Sequence, residues 1–260
     1  MMRTCIIFVM AVAASLSALR SAAAERIVSS LSTHRVLITS NFTGAELILF
    51  GSIELDTAPA PRRGGYDVVV TVIGPRHVLV TRRKERVFGI WVNTDSRVFI
   101  DPPAYLATFA NRPLNAIANA EIRRRLQIGF ENMQLPQRIG ADVGEVTSND
   151  PFRTAFIRLK SEHELYREEP NAVTFLTPNL FRTGVPLPAD APIGNYEVDV
   201  KLFTDGAMIA RTNSAFELVK FGFEQFVADA AHSHGLLYGL ATALMALATG
   251  WLASVMFRRD

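Results

Sequence analysis

Residues 194–212 read GNYEVDVKLFTDGAMIART, and this stretch decides the fold class. Side chains alternate strictly along its first ten residues, as they do in a strand that buries one face. The apolar face carries Tyr196, Val198, Val200 and Leu202. Asp205-Gly206 is a strong signal for a two-residue turn, and Met208–Thr212 forms the returning strand. The stretch therefore predicts an antiparallel hairpin in a β-rich domain.

Residues 25–100 carry the same signal in shorter pieces. Four runs rich in β-branched and aromatic residues are separated by turn residues: Val36–Thr39, Glu46–Ser52, Tyr66–Ile73 and Val87–Val92. Short strands at this spacing are typical of a β-sandwich. The basic run Arg82–Arg86 is interpreted as the solvated tip of a hairpin, with a patch for an anion or a lipid headgroup as the alternative.

Residues 101–170 change character and are predicted to be mainly helical. Asp101-Pro102 is a helix start signal, which makes Ala104–Phe109 compatible with a short helix, and a second helix is expected at Ala118–Gln127. Asn149-Asp150-Pro151 starts a third helix that we expect to end near Glu169-Pro170. Its apolar face would carry Phe152, Ala155, Phe156, Leu159, His163 and Tyr166, and Arg153 would lie elsewhere with the other charged residues.

Residues 171–220 return to β and either complete the sandwich or form a second one. Pro192-Ile193-Gly194-Asn195-Tyr196 leads into the alternating strand. A tyrosine that fixes a corner at such a point is typical of immunoglobulin-like sandwiches. The predicted fold is therefore mainly β with helical insertions, an immunoglobulin-like β-sandwich followed by one C-terminal transmembrane helix.

The C-terminal residues predict that helix. Gly235–Phe257 spans 23 residues without a charged side chain and is followed by Arg258-Arg259-Asp260. A helix of this length is about 35 Å long, enough to cross a hydrocarbon core of roughly 30 Å. Residues 221–234 are expected to link the domain to this anchor along the membrane interface.

The N-terminus supplies the other half of the predicted topology. Residues 1–24 combine Arg3, an apolar run and Ala22-Ala23-Ala24, which predicts a cleaved signal peptide, with a retained anchor as the alternative. Arg258 and Arg259 would keep residues 258–260 in the cytoplasm, so residues 25–234 would lie in the periplasm, on the outer side of the inner membrane. Without Arg3 and Arg20, 25 Lys and Arg residues balance 25 Asp and Glu residues, which argues against a nucleic-acid partner.

The sequence predicts no catalytic site and no cofactor. The only cysteine, Cys5, lies in the signal peptide. His163-Glu164 lacks the second histidine of a zinc-protease helix, because Arg167 stands at that position. His232 and His234, with Asp229 and Glu224 one and two turns earlier, are weak candidates for metal ligands.

Residues 140–145 are interpreted as a loop. Arg123-Arg124-Arg125 is interpreted as a solvated helix face, with a docking patch for an acidic partner or an anion as the alternative.

The predicted membrane helix has its own pattern. Small residues recur at every fourth position in two rows: Gly235, Gly239 and Ala243, then Ala246, Gly250 and Ser254. Such rows allow close approach of another helix, either a second copy or a partner such as a permease. Passive anchoring in the lipid bilayer is the alternative, since glycine and alanine are frequent in membrane helices.

Several of these features together resemble a family of transmembrane proteins described mainly from alphaproteobacteria. They are the signal peptide, the segment from Asn41 to Gly51, Arg112-Pro113-Leu114, the Pro-x-Gly-x-Tyr strand with its Asp205-Gly206 turn, and the single C-terminal helix. Members are often encoded beside permeases of the sulfite-exporter type. The resemblance implies a membrane-anchored periplasmic accessory protein that associates with an integral membrane transporter. A tethered solute- or metal-binding sensor or scavenger is the alternative.

Overall fold

The computed structural model describes residues 25–39, 42–55, 65–139, 142–145, 149–220, 222 and 231–256. The predicted signal peptide, most of the linker 221–230 and the C-terminal tail lie outside the described residues. The described part is mainly β. Its strands are β1 Glu25–Leu31, β2 Arg35–Ile38, β3 Gly44–Leu55, β4 Asp67–Ile73, β5 Leu79–Val87, β6 Ile90–Phe99, β7 Leu106–Ala110, β8 Pro136–Ile139, β9 Asp142–Glu145, β10 Tyr166–Glu169, β11 Thr174–Thr177, β12 Leu180–Pro188, β13 Gly194–Thr204 and β14 Ala207–Lys220. Its α-helices are α1 Leu114–Ile117, α2 Ala120–Arg125, α3 Pro151–Glu162 and α4 Gly235–Met256.

The largest sheet has six strands in the order β10-β7-β4-β13-β14-β2. The hairpin predicted from residues 194–212 is confirmed as β13 and β14, with positive φ angles of 50° at Asp205 and 81° at Gly206 in the turn. Both central turn residues of a type I′ turn need positive φ, and its twist suits antiparallel strands. The two outermost strands, β10 and β2, run parallel to their neighbours.

A second sheet has the order β1-β3-β12-β11 and shares one buried core with the first. Leu47 and Leu49 of this sheet and Val70, Val198 and Val200 of the other belong to the same cluster. The predicted corner is present, because the Tyr196 hydroxyl donates to the Pro192 carbonyl at 2.6 Å. The specifically immunoglobulin-like arrangement stays a prediction.

The third sheet, β5-β6-β8-β9, is built on a long hairpin and corrects the prediction for residues 82–92. The turn lies at Phe88-Gly89, so Arg82–Arg86 is part of a strand and Val87–Val92 is not one continuous strand. Gly89, at φ 85°, supplies the freedom that the turn requires. Residues 142–145 form strand β9, which pairs with β8, and are not a loop.

The described residues of segment 101–170 form three α-helices, one 3₁₀ turn and four strands. A short helix is expected at Ala104–Phe109, but Leu106–Ala110 is strand β7, which is buried at every position between β4 and β10. Burial in the middle of a sheet overrides weak helix propensity. The helix expected near Ala118–Gln127 is present as α2, where the Asn119 side chain caps the Ile122 amide at 2.8 Å.

Helix α3 begins as predicted and ends earlier than predicted. The Asp150 carboxylate accepts from the Arg153 amide at 3.1 Å, and the helix stops at Glu162. Glu164 has φ 56°, Leu165 N–H bonds to the Lys160 carbonyl, and Glu164 N–H bonds to the Ser161 carbonyl, which together form a Schellman motif. The turn frees Tyr166 to enter strand β10.

Arg153 also departs from the prediction, since its side chain is buried in the core. Its guanidinium donates to the carbonyls of Phe130, Glu131 and Met133, at 2.7 Å for the last. The arginine therefore fastens the 3₁₀ turn Phe130–Asn132 to helix α3.

Helix α4 is the one helix among the described residues that is long and apolar enough to cross a membrane. None of its residues is buried. Since successive residues turn by about 100°, both rows of small residues fall within one face of about 100°. An added Cβ atom at Gly235, Gly239 or Gly250 would meet no other atom within 4 Å.

Candidate functional site

A row of polar side chains crosses the face of the six-stranded sheet that points away from the core. The strand registers place its members side by side in the order Glu168, Thr108, Thr71, Asp199 and Asn213. In β13, Val198 and Val200 enter the shared core, so Asp199 and Lys201 face the other way. The polar row is thus the direct result of the alternation seen in the sequence.

Helices α1 and α2 and the chain that follows them cover part of this face. Val69 and Phe203 pack with Leu114, Ile117 and Ile128 in a second, smaller apolar cluster. Beside that cluster lies a cavity of about 300 Å³, which we call the sheet-face cavity. Its lining residues are Thr71, Ile73, Arg76, Pro103, Leu106, Arg125, Leu126, Gln127, Met133, Gln134, Asp199, Lys201 and Arg211.

The buried floor of the cavity holds an ion pair. Asp199 and Lys201 are 7% and 4% exposed, and the Lys201 ammonium donates to the Asp199 carboxylate. The Arg211 Nε donates to the other carboxylate oxygen at 2.7 Å, and the Asn213 amide can donate to that same oxygen at 3.0 Å. Burial lowers the pKa of Lys201 below its usual value, although Asp199 opposes the change. The carboxylate is therefore fully occupied by donors of its own sheet.

The rim of the cavity adds positive charge. Arg76 and Arg125 line it from outside the sheet, and both side chains are exposed. With Lys201 and Arg211 they make four cations against the single carboxylate of Asp199. Because Asp199 is already paired within the sheet, Arg76 and Arg125 leave a surplus of positive charge at the cavity mouth.

Two features of the residues that line the cavity are typical of a binding site. The Thr71 hydroxyl is buried and has no hydrogen-bond partner among the described residues. Gln127, which follows α2, holds φ 52° in a Schellman motif where glycine would be free of strain. Side chains kept in strained backbone positions cluster at binding sites. The arrangement can bind a small anion through arginine, lysine, hydroxyl and amide donors.

A second, more apolar cavity of about 310 Å³ lies between β5 and α3. Lys160 and His163 line it together with Asp190. Burial lowers the pKa of Lys160, whose amine donates to the Ala104 carbonyl at 3.2 Å. His163 is largely exposed and lies 3.7 Å from Asp190. These groups form a surface contact, and we assign no chemistry to it.

The residues singled out in the sequence fall at different places. Of the three consecutive arginines, Arg125 lines the sheet-face cavity. His232 and His234 are exposed just before α4, and Glu224 and Asp229 lie outside the described residues. Within the described ranges no group of three His, Cys, Asp or Glu side chains could hold a metal ion. The metal ligands and the helix-packing role of the small residues remain predictions.

Sequence reasoning missed the sheet-face cavity. Asp199 and Lys201 have the pattern of outward-facing residues on a half-buried strand, and they do face outward. What the pattern could not indicate is that residues 114–134 fold over that face. The one available signal was a strand whose outer positions, Glu197, Asp199 and Lys201, all carry charges.

A family model described as "Putative transmembrane protein (Alph_Pro_TM)" matches residues 26–259. No curated protein matches the chain.

Proposed function

We propose that this chain, which belongs to the Alph_Pro_TM family of transmembrane proteins, is a membrane-anchored accessory protein. We propose further that it binds a small anion in the sheet-face cavity. The observation that carries the proposal is the composition of that cavity, four cations around one internally paired carboxylate. A volume of about 300 Å³ suits an inorganic oxyanion or a small organic acid.

The location of the domain is part of the same proposal. Helix α4 anchors the chain in the inner membrane, residues 25–234 lie in the periplasm, and the last residues lie in the cytoplasm. The length and composition of α4 support the anchor, and Arg258 and Arg259 support its orientation. An anion-binding domain held at this surface can pass its ligand to a transporter or report its presence.

Anion binding is tested by calorimetric titration of the full-length protein in an uncharged detergent, with sodium sulfate and then sodium phosphate as probes. Sodium chloride at matched ionic strength controls for screening. Hydrogen bonds to charged groups contribute about 1.5–3 kcal/mol each, so Arg125→Gln and Arg76→Gln should each weaken binding roughly tenfold or more.

Arg124→Gln is the matched control, because Arg124 is the exposed neighbour of Arg125 and does not line the cavity. Equal weakening by the Arg124 and Arg125 variants would mean that the anion responds to overall charge and does not occupy the cavity. Absence of measurable heat with either probe would reject both as ligands.

The second part of the proposal is association with an integral membrane transporter through α4. The support is that both rows of small residues share one face of α4, at which glycine leaves room for a close helix contact. Replacing Gly239 and Gly250 by leucine should abolish co-purification of a permease from native membranes in mild detergent.

Ala241→Leu with Ala248→Leu is the matched control, because these two positions lie on the opposite face of the same helix. Loss of the permease in both variants would mean that bulk anywhere on the helix is harmful. Recovery of the permease with both would remove α4 as the contact. Recovery of no partner with the native chain would favour the tethered solute sensor or scavenger.

A further inference from the structure

The end of the β5–β6 hairpin is apolar and exposed. We call Val87, Phe88, Gly89, Ile90 and Trp91 the hairpin tip. Phe88 is 103% exposed, Ile90 66% and Trp91 69%. Large apolar residues exposed together mark a contact surface in soluble domains.

The apolar side chains surround the tip on both faces. Val87 pairs with Ile90, and Arg86 pairs with Trp91 one step further from the turn, so Ile90 and Trp91 point to opposite sides. Phe88 occupies the turn itself with φ 49°. A partner that packed on one face of the ribbon would leave the other face in water. A medium that surrounds the tip, as lipid does, covers all of it.

Basic residues follow directly behind the tip. Arg82, Arg83, Lys84 and Arg86 of β5 outnumber two carboxylates of the ribbon: Glu85, which pairs with Arg83 at 2.8 Å, and Asp95 of β6, which pairs with Arg97 at 2.7 Å. Arg82 and Lys84 are exposed. At about 3.3 Å per residue, Arg86 and Lys84 lie about 7 and 13 Å from Phe88 along the strand. That is the depth of phospholipid headgroups when aromatic side chains reach 5–10 Å into a bilayer.

We infer that the hairpin tip is a second membrane contact, which inserts into the interface of a bilayer rich in anionic phospholipids. The insertion is shallow, because β6 pairs with β8 only at Val98 and Phe99 and the outer ribbon keeps unpaired backbone groups on both edges. Such groups cannot enter hydrocarbon without a large cost. Tryptophan and phenylalanine suit the interface, and arginine and lysine bind the phosphates.

The test uses the full-length protein reconstituted into vesicles. The chain has two tryptophans, so Trp251→Phe leaves Trp91 as the only tryptophan reporter. We expect Trp91 emission at short wavelength in vesicles that contain phosphatidylglycerol, and quenching by lipids brominated near the head of the acyl chain. The variants Arg82→Gln and Lys84→Gln should each lower the ratio of inserted to free tip about fivefold. The fraction of Trp91 emission that is quenched measures this ratio. Phe88→Gly, which suits the turn, should also reduce quenching.

Two results would overturn insertion of the tip into the bilayer, and a third would overturn its preference for anionic phospholipids. Emission typical of exposed tryptophan, without quenching in any vesicle, would show a tip that stays in water even while tethered at the surface. Emission at short wavelength without quenching would show a tip buried in protein, such as a second copy of this chain. Equal quenching in pure phosphatidylcholine, unchanged by the charge variants, would reject the role of the basic residues.

Discussion

Replacing Asp199 by asparagine should destabilise the domain by much more than the loss of a surface charge. The carboxylate accepts from Lys201 and Arg211, and the side chains of Asp199 and Lys201 are both buried. The asparagine side chain keeps the size of the aspartate but carries no charge. The variant therefore leaves the Lys201 ammonium in the sheet without its counter-ion.

The magnitude follows from this burial. Removal of one partner of a buried ion pair typically costs about 3–5 kcal/mol, because the remaining charge has lost its compensation. For a domain of this size, 1 kcal/mol shifts Tm by about 2–4 °C, so the expected fall is roughly 6–20 °C. The pKa of Lys201 is already lowered by burial and falls further without Asp199. The folded variant then binds fewer protons than the unfolded chain, so its stability rises, and the deficit shrinks, as pH increases toward the lysine range.

Thermal unfolding of the full-length protein in detergent, followed by circular dichroism, measures the effect. Glu162→Gln is the control, because its ion pair with Arg158 is more than half exposed and should contribute no more than about 0.5 kcal/mol. The double variant Asp199→Asn with Lys201→Met removes the stranded charge and should recover most of the loss. A fall in Tm no larger than that of Glu162→Gln would refute the reasoning, as would a double variant that is less stable than the single one.

Three further predictions concern the fold. Gly51→Ala should cost about 1–3 kcal/mol, because the new Cβ would lie 2.1 Å from Phe181 Cζ on the paired strand; unchanged Tm would mean that the ring moves away freely. Glu164→Gly should raise stability by about 0.5–1 kcal/mol by relieving the positive φ at the end of α3, and a lower Tm would show that the glutamate makes a compensating contact. Burial raises the pKa of Tyr105, Tyr166 and Tyr196 above the ordinary 10.0. The stability that these neutral side chains contribute is therefore complete below pH 10 and is lost above it. With all three tyrosines together, the free energy of unfolding should fall by about 4 kcal/mol per pH unit. Tyr105→Phe should reduce that slope by about a third in alkaline unfolding curves, and an unchanged slope would contradict the assignment.

Local patterns predicted the elements whose signals are local. Alternation with the Asp205-Gly206 turn predicted the β13–β14 hairpin, Asn149-Asp150-Pro151 predicted the start of α3, and the uncharged C-terminal run predicted α4. Each of these depends on residues within a few positions of one another.

The predictions were wrong where residues distant in sequence determine the secondary structure. Leu106–Ala110 is a strand because it pairs with β4 and β10. Helix α3 ends at Glu162, and the chain then turns so that Tyr166 pairs with Leu106. The candidate site is also built from residues that are distant in sequence. Its charges come from β13, β14, α2 and the chain after β4, so no short window of sequence contains it. The alternative considered for Arg123–Arg125, an anion patch, came nearest to it.

The parallel edge pairing of the six-stranded sheet sets the order in which the protein can be completed. Among the described residues, strand β2 pairs only with the last four residues of β14, so Arg35 cannot pair until Glu217, 182 positions later in the chain, has been made. Contacts this distant in sequence form late and slowly. During synthesis, Arg35–Ile38 stays without this neighbour until almost all of the chain before α4 has been made. A chain cut short before residue 217 would leave Arg35–Ile38 without β14, so the backbone groups of this segment would be unpaired on both edges, where the finished sheet leaves only one edge of β2 open.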